Sequence, residues 1–129
     1  MAAWLAMNGH AYDTFDYNVP IGPAAQIGDA HPPEVQQMSA FTSRRKIDAV
    51  GRQGAAVTLF EVKERAQFGA VGQLLGYSHH WEQEHAGEVP PTLVLLTARP
   101  SPGIAEVCAR YGIKFVVVPA DFSSITGAV

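Results

Sequence analysis

The sequence predicts an α/β fold in which a mixed central sheet is flanked by helices, in one domain over residues 1–129. Three observations predict this class. Two apolar runs joined by a glycine-bearing turn are typical of an antiparallel hairpin. A long helical pattern follows the hairpin. After it come two uninterrupted apolar strands with a second helix between them, which indicates parallel strands covered by helices.

The composition agrees with a globular domain and excludes several other classes. The chain has 129 residues, of which 47% are hydrophobic and 16% charged, enough for one buried core. No apolar run reaches the roughly 18 residues that a membrane-spanning helix needs, so we expect no membrane association. Cys108 is the single cysteine, which excludes an intrachain disulfide and favours a reducing, cytoplasmic setting.

The first third of the chain predicts a helix, a strand and a loop. Residues 2–8 form a short apolar run that ends at Gly9, which is typical of a helix. Residues 22–33 contain two glycines and three prolines, which indicates a loop, and residues 34–41 form either a helical turn or an irregular bridge. The strand of this region is expected over Thr14–Ile21, with one apolar side formed by Phe15, Tyr17, Val19 and Ile21.

The middle of the chain predicts the hairpin and the long helix. Residues 44–50 and 56–62 are its two strands, and the glycines at both ends of residues 51–54 place the turn there. The helical pattern covers residues 66–85. Interior glycines cost a helix about 1 kcal/mol each relative to alanine, so we expect this helix to lie close against the sheet, where side chains would not fit. Those glycines are Gly69, Gly72 and Gly76.

The last third predicts a β-α-β unit. Residues 92–97 and 114–118 are uninterrupted apolar strands, and residues 103–111 between them form a helix that ends at Gly112. Strands of this kind are buried on both faces, which favours parallel pairing.

Two acids and a lysine fall at the ends of the hairpin strands. Asp48 lies near the end of the first strand, and Glu61 and Lys63 near the end of the second. Residues two apart in a strand share a face, so Glu61 and Lys63 point the same way. Two carboxylates with a free face suit a hard cation, and a neighbouring ammonium can handle a proton or an anionic oxygen. The alternative is an ordinary salt-bridged hairpin with these side chains as surface charges.

The charges are distributed unevenly along the chain. The net charge is −3, yet residues 44–65 hold six of the nine basic residues and three acids, which gives +3 there and −6 elsewhere. A local basic face on an acidic body can meet a phosphate backbone, although solvated strand-flanking cations give the same pattern. The candidates for phosphate contact are Arg44, Arg45, Lys46 and Arg52.

These motifs together resemble a known superfamily. Ile47-Asp48, then Phe60-Glu61-Val62-Lys63, then a helix carrying Gln73 and Tyr77, are similar in order and element type to the PD-(D/E)XK nucleases. The Gln-x-x-x-Tyr spacing resembles the RecB-like and small stand-alone members, of phage or junction-resolvase type. The resemblance implies an αβββαβ restriction-endonuclease-like core and covers residues 1–97, with residues 98–118 as an extension.

The resemblance also implies roles for individual residues. Asp48 and Glu61 would ligate Mg²⁺ or Mn²⁺ together with the carbonyl of Val62. Lys63 would position or help deprotonate the attacking water. Gln73 and Tyr77, which share a helix face, would orient that lysine or a phosphate. The implied activity is metal-dependent endonucleolytic cleavage of DNA, structure-specific or non-specific, since no motif for reading bases is evident.

One departure from the family pattern leaves a second function open. Many members carry a glutamate on the first helix, whereas residues 2–8 contain no acid; Asp13, Asp16 and Glu34 lie elsewhere. A catalytically weak or inactive nuclease fold, serving as an assembly subunit of a phage particle or a DNA-processing complex, is the alternative. Small stand-alone members act as homodimers or within larger assemblies, so we expect one of these, in the cytoplasm or in a virion if the chain is phage-encoded.

Overall fold

The computed structural model describes residues 11–24, 30–37 and 44–118. The helix expected at residues 2–8 lies outside these ranges, and residues 33–37 form a short helical turn. The elements are, in chain order, β1 (Thr14–Ile21), β2 (Arg45–Gln53), β3 (Ala56–Arg65), α1 (Phe68–Glu84), β4 (Thr92–Arg99), α2 (Ile104–Arg110) and β5 (Ile113–Val117).

The five strands form one mixed sheet in the order β1-β2-β3-β4-β5. β1 and β3 each pair antiparallel with β2, whereas β4 pairs parallel with both β3 and β5. The predicted mixed α/β sheet is therefore confirmed, with antiparallel pairing in its first half and parallel pairing in its second. No helix among the described residues is long and apolar enough to cross a membrane.

The helices pack on one face of this sheet, which we call the helix face. Its buried residues form a core cluster with α1 and α2 that includes Ile47, Val50, Leu59, Leu74 and Leu95. On the other side, which we call the opposite face, a smaller cluster contains Ala49, Phe60, Val94, Leu96 and Val118. The rings of Tyr12 and Phe15 pack edge-on or tilted against Phe60 there, with centroids 5.9 and 5.4 Å away.

The hairpin turn is shorter than the sequence predicts. β2 and β3 pair out to Gln53 and Ala56, so the loop consists of two residues, and Gly54 has a φ of +57° that glycine adopts without steric strain. Gly51 lies within β2 rather than in the turn. A Cβ atom at Gly51 would lie 2.7 Å from the ring of Tyr12, so this glycine permits a close aromatic contact.

The expectation for the glycines of α1 is wrong. A Cβ atom built on Gly69, Gly72 or Gly76 would meet no atom within 4 Å. The helix instead packs through Ala70, Leu74, Tyr77 and Trp81. The glycines therefore lie away from the sheet, and close helix packing does not explain them.

The expectation that β1 has a single apolar side is also wrong. Phe15 packs against the opposite face, whereas Val19 and Ile21 belong to the helix face. Between them, Asn18 has a φ of +52°, in the left-handed region. One residue in that conformation shifts the alternation of side chains by one position, which a simple period of two cannot anticipate.

Candidate active site

The site lies where β2 and β3 separate. Their antiparallel pairing runs from Gln53↔Ala56 to Ala49↔Phe60 and stops there, although both strands continue. Just past this point, the backbone N–H of Val62 donates a hydrogen bond to Oδ2 of Asp48 over 2.7 Å. The carboxylate thus replaces the strand carbonyl that a continued ladder would have supplied, and this holds Asp48 between the strands.

Glu61 is the buried acid of the site. Its residue is 2% exposed, on the helix-side surface of β3. Nζ of Lys63, two residues further along the same strand, lies 3.4 Å from Oε1. The other oxygen, Oε2, is buried and has no hydrogen-bond partner within the described part of the chain. An unsatisfied buried carboxylate oxygen is unfavourable, and it is the kind of atom that a bound cation would satisfy.

Burial, and after it the neighbouring Asp48 carboxylate, raise the pKa of Glu61 from 4.5 to about 7, while Lys63 opposes the shift. Desolvation and a like charge both disfavour the ionised form. One ammonium does not balance both carboxylates, so a proton or a cation at this position would be favourable.

Tyr77 connects α1 to this corner of the sheet. Its side chain is buried, and its hydroxyl donates a hydrogen bond to the carbonyl of Lys46 over 3.2 Å. Burial and the nearby Glu61 carboxylate raise the pKa of Tyr77 above its ordinary value, so the phenol stays neutral. It therefore remains a hydrogen-bond donor at any physiological pH, and its acceptor, the Lys46 carbonyl, is two residues before Asp48.

Gln73 lies one helical turn before Tyr77 and lines a groove of about 260 Å³ on the surface of α1. Two of the residues that line it, Gly72 and Gly76, contribute no side chain. The lining residues are Arg45, Gly72, Gln73, Gly76, Tyr77 and His80. The groove contains a cation and several hydrogen-bond donors and no carboxylate in its lining, a surface suited to an anion.

The four candidate phosphate contacts have different surroundings. Arg44 forms an ion pair with Glu84 at 2.9 Å and also donates to the carbonyl of Gly22. Lys46 donates to the carbonyl of Arg44, and Arg52 lies 5.2 Å above the ring of Trp81. Arg45 is exposed and lines the groove. Three of the four therefore have a structural task within the chain.

The described residues contain no group of three or more His, Cys, Asp and Glu side chains that could hold a metal. Asp13, as the sequence indicates, lies elsewhere: it accepts a hydrogen bond from the N–H of Gly54 at the hairpin turn, at the other end of β2. The side-chain donors at the site are thus Asp48 and Glu61. Mg²⁺ fits such a pair, because it is usually bound through one or two carboxylates and keeps several waters.

Sequence reasoning identified the side chains that meet at this corner and missed the backbone that arranges them. The N–H of Val62 and the conformation of Asn18 carry no residue-type motif. A weak signal exists for Asn18, because asparagine is enriched several-fold in the left-handed region and it interrupts an apolar alternation.

The fold is shared with solved structures that include a repair endonuclease. An EndoMS–dsDNA complex matches 94% of this chain and 44% of its own at 18% identity, with a TM-score of 0.55. A repair endonuclease from Pyrococcus abyssi matches 94% and 46% at 17% identity, with a TM-score of 0.56. A protein of unknown function, AF1548, matches 95% and 58% at 12% identity, with a TM-score of 0.58.

The chain therefore spans about half the length of the solved structures that it matches. No protein-family model and no curated protein matches it. At these identities the likeness defines the fold, and the chemistry has to be argued from the site.

Proposed function

We propose that this chain is a Mg²⁺- or Mn²⁺-dependent DNA endonuclease domain of the PD-(D/E)XK type. The observation that carries the proposal is the buried, unpartnered Oε2 of Glu61, beside Asp48 and 3.4 Å from Lys63 through its other oxygen. This arrangement lies on a fold shared with a repair endonuclease and with EndoMS in a complex with double-stranded DNA.

The metal would be held by the carboxylates of Asp48 and Glu61 with the carbonyl of Val62, and when bound it would acidify a water and neutralise charge on the phosphate. The chain's own groups prepare the site. The N–H of Val62 fixes Asp48, and Lys63 presents an ammonium to the same point from a strand held by β4. That ammonium orients the attacking water and stabilises charge on the scissile phosphate.

Tyr77 and Gln73 act from α1. The Tyr77 hydroxyl holds the β2 backbone at Lys46, two residues before Asp48. Gln73 lies in the adjoining groove, where its amide can donate to a phosphate oxygen. These two residues position the substrate and the strand. They take no part in the proton transfer, which belongs to the site of Asp48, Glu61 and Lys63.

The DNA backbone would approach along the groove. Of the four basic residues that are candidates for phosphate contact, only Arg45 would then touch it. The guanidinium of Arg45 lines the groove, whereas Arg44, Lys46 and Arg52 are engaged within the chain. Glycines at positions 72 and 76 leave room for a phosphate beside the helix. Contacts of this kind read no bases, which favours structure-specific or non-specific cleavage.

The second candidate is a nuclease fold that binds DNA or partner proteins without cutting. The observation that favours it is the pair of acids, since no third ligating side chain joins them among the described residues. Such a subunit would act in a homodimer, a phage particle or another larger assembly.

Cleavage of plasmid, single-stranded and branched DNA by the purified chain separates the two candidates. We expect cleavage with Mn²⁺ or Mg²⁺, none with EDTA, and a loss on the order of 10²–10³-fold in Asp48→Ala and Glu61→Gln. Glu64→Gln is the matched control, because Glu64 is the next acid on β3, is exposed and pairs with Arg99. DNA binding without metal-dependent cleavage on every substrate would establish the assembly role instead.

A further inference from the structure

We propose that Asn18 is a positioning residue for the site: its left-handed backbone lets β1 follow a kink in β2, and this kink aims the carboxylate of Asp48 at β3. The catalytic consequence rests on the proposed function, whereas the geometric claim does not. Among the described residues, Asn18 is the only one other than glycine with a positive φ, at +52°.

Asn18 lies directly across from Asp48. The β1–β2 register pairs Tyr17 with Ala49 and Val19 with Ile47, so Asn18 and Asp48 fall opposite each other, and they are the one step that the ladder skips. The register is the same on both sides of this step. The two strands therefore pass through the irregularity together, without either gaining a residue.

Both strands change faces at this step. In β1, the ring of Tyr17 lies 5.5 Å from Phe15, which packs on the opposite face, whereas Val19 packs on the helix face. In β2, Ala49 is on the opposite face and Ile47 on the helix face. Residues two apart in a regular strand share a face, so each strand has shifted its alternation by one position.

β3 does not make this shift, and this explains why its pairing with β2 ends. Phe60 and Val62 both pack on the opposite face, as regular alternation requires. A continued ladder would place Ile47 across from Val62, yet these side chains are on different faces, while directly paired residues share one. Pairing has to stop at Ala49↔Phe60, which leaves the N–H of Val62 to Oδ2 of Asp48.

Asparagine is well suited to this position. Left-handed backbone is disfavoured for residues with a Cβ atom and is a genuine outlier for β-branched ones, while asparagine and glycine tolerate it. Asn18→Gly should therefore preserve the kink and Asn18→Val should oppose it. Asn18→Ala is a milder version that keeps the test available if the valine variant does not fold.

The amide proton resonance of Val62 reports the position of the Asp48 carboxylate without metal or substrate. Its hydrogen bond to a carboxylate at 2.7 Å predicts a downfield proton shift, and Asp48→Ala defines the value without that bond. We expect Asn18→Gly to keep the wild-type shift, Asn18→Val to lose most of it and Asn18→Ala to lie between. A folded Asn18→Val or Asn18→Ala variant with the wild-type Val62 shift would overturn the proposal.

Asp16 is the matched control. It is exposed, lies two residues earlier in β1 and pairs regularly with Val50. Thermal unfolding should rank the substitutions in opposite order at the two positions, with valine tolerated better than glycine at 16 and glycine better than valine at 18. The same order at both positions would contradict a special backbone requirement at Asn18.

Titration with Mn²⁺ by calorimetry then connects the geometry to the site. We expect Asn18→Val to weaken Mn²⁺ binding about 10-fold or more, as is typical when a ligand loses its supporting contacts, and Asn18→Gly to restore it. If the wild-type protein binds no Mn²⁺, the proposed function fails while the Val62 shift still decides the role of Asn18. If Asn18→Val binds Mn²⁺ with wild-type affinity although its Val62 amide resonance has moved, Mn²⁺ binding does not depend on how Asn18 orients Asp48.

Discussion

The two halves of β3 have opposite surroundings within one strand. Residues 56–60 are paired with β2, and from Thr58 onward also with β4, and they bury Val57, Leu59 and Phe60. Residues 61–65 keep β4 as their neighbour, and Asp48 takes the place of β2. A strand that loses one partner midway gains room for polar side chains while the other partner keeps it in place. The first half supplies stability, and the second carries the proposed active site.

The largest expected effects separate these halves. Leu59→Ala removes a fully buried side chain and should lower the free energy of unfolding by about 2–5 kcal/mol, while the folded fraction cleaves DNA normally. Lys63→Ala removes a side chain that is 37% exposed and should change stability little, yet reduce cleavage by about 10²–10³-fold. Chemical denaturation and initial cleavage rates measure the two quantities.

Arg65→Ala is the control for charge, because Arg65 is an exposed cation two residues beyond Lys63. It should retain most of the cleavage rate. An equal loss in both variants would mean that general charge, and not the position of Lys63 beside Glu61, carries the activity.

The pH dependence of stability sharpens the comparison at Glu61. Its pKa is raised from 4.5 to about 7 in the folded protein, so the folded state holds a proton that the unfolded state releases between these values. The stabilising contribution is complete below pH 4.5 and is lost as the pH rises through 7, by roughly 1–3 kcal/mol. Urea unfolding without metal should therefore show stability falling across this window.

Two additions test the assignment to Glu61. The Glu61→Gln variant should abolish most of this decline, since glutamine does not titrate. Mn²⁺ should stabilise the wild-type protein more at pH 7.5 than at pH 5, because the metal competes with the proton for the carboxylates. A decline of equal size in wild type and Glu61→Gln would assign it to other groups.

Replacing a glycine by alanine should have smaller effects on stability, and of opposite sign in the hairpin and in α1. A Cβ atom at Gly51 would lie 2.7 Å from the Tyr12 ring, so Gly51→Ala should destabilise by about 1–3 kcal/mol. At Gly72 a Cβ atom meets nothing within 4 Å, so Gly72→Ala should stabilise by about 0.5–1 kcal/mol. Thermal unfolding measures both. If DNA approaches along the groove on α1, Gly72→Ala should also weaken DNA binding despite the gain in stability. Unchanged binding would mean that DNA does not lie in the groove.

The sequence predicted what depends on residue type and period. The hairpin, the parallel β4-β5 pair and the convergence of Glu61 with Lys63 all follow from apolar runs and alternation. The sequence did not predict the places where a strand departs from the regular alternation of its side chains. A left-handed residue at Asn18 reverses the faces of β1, and no hydropathy pattern contains that information. The sequence also predicts the turn too early, because it reads Gly51 as a turn residue. Gly51 instead permits a tertiary contact with Tyr12, which the local pattern of the strand does not reveal.

The smallest expected effect compares two neighbouring arginines. Arg45 lines the groove, whereas Arg44 is paired with Glu84 and Gly22. Each phosphate contact contributes about one unit to the slope of log affinity against log salt concentration, so Arg45→Ala should lower DNA affinity a few-fold and flatten the slope by about one. Arg44→Ala should leave that slope unchanged and instead loosen the contact between the end of β1 and α1. Fluorescence anisotropy with a short duplex at several salt concentrations in Ca²⁺ measures binding while avoiding turnover with Mg²⁺. If the slope falls for Arg44→Ala and stays constant for Arg45→Ala, the DNA path runs over the end of β1 and not along the glycine face of α1.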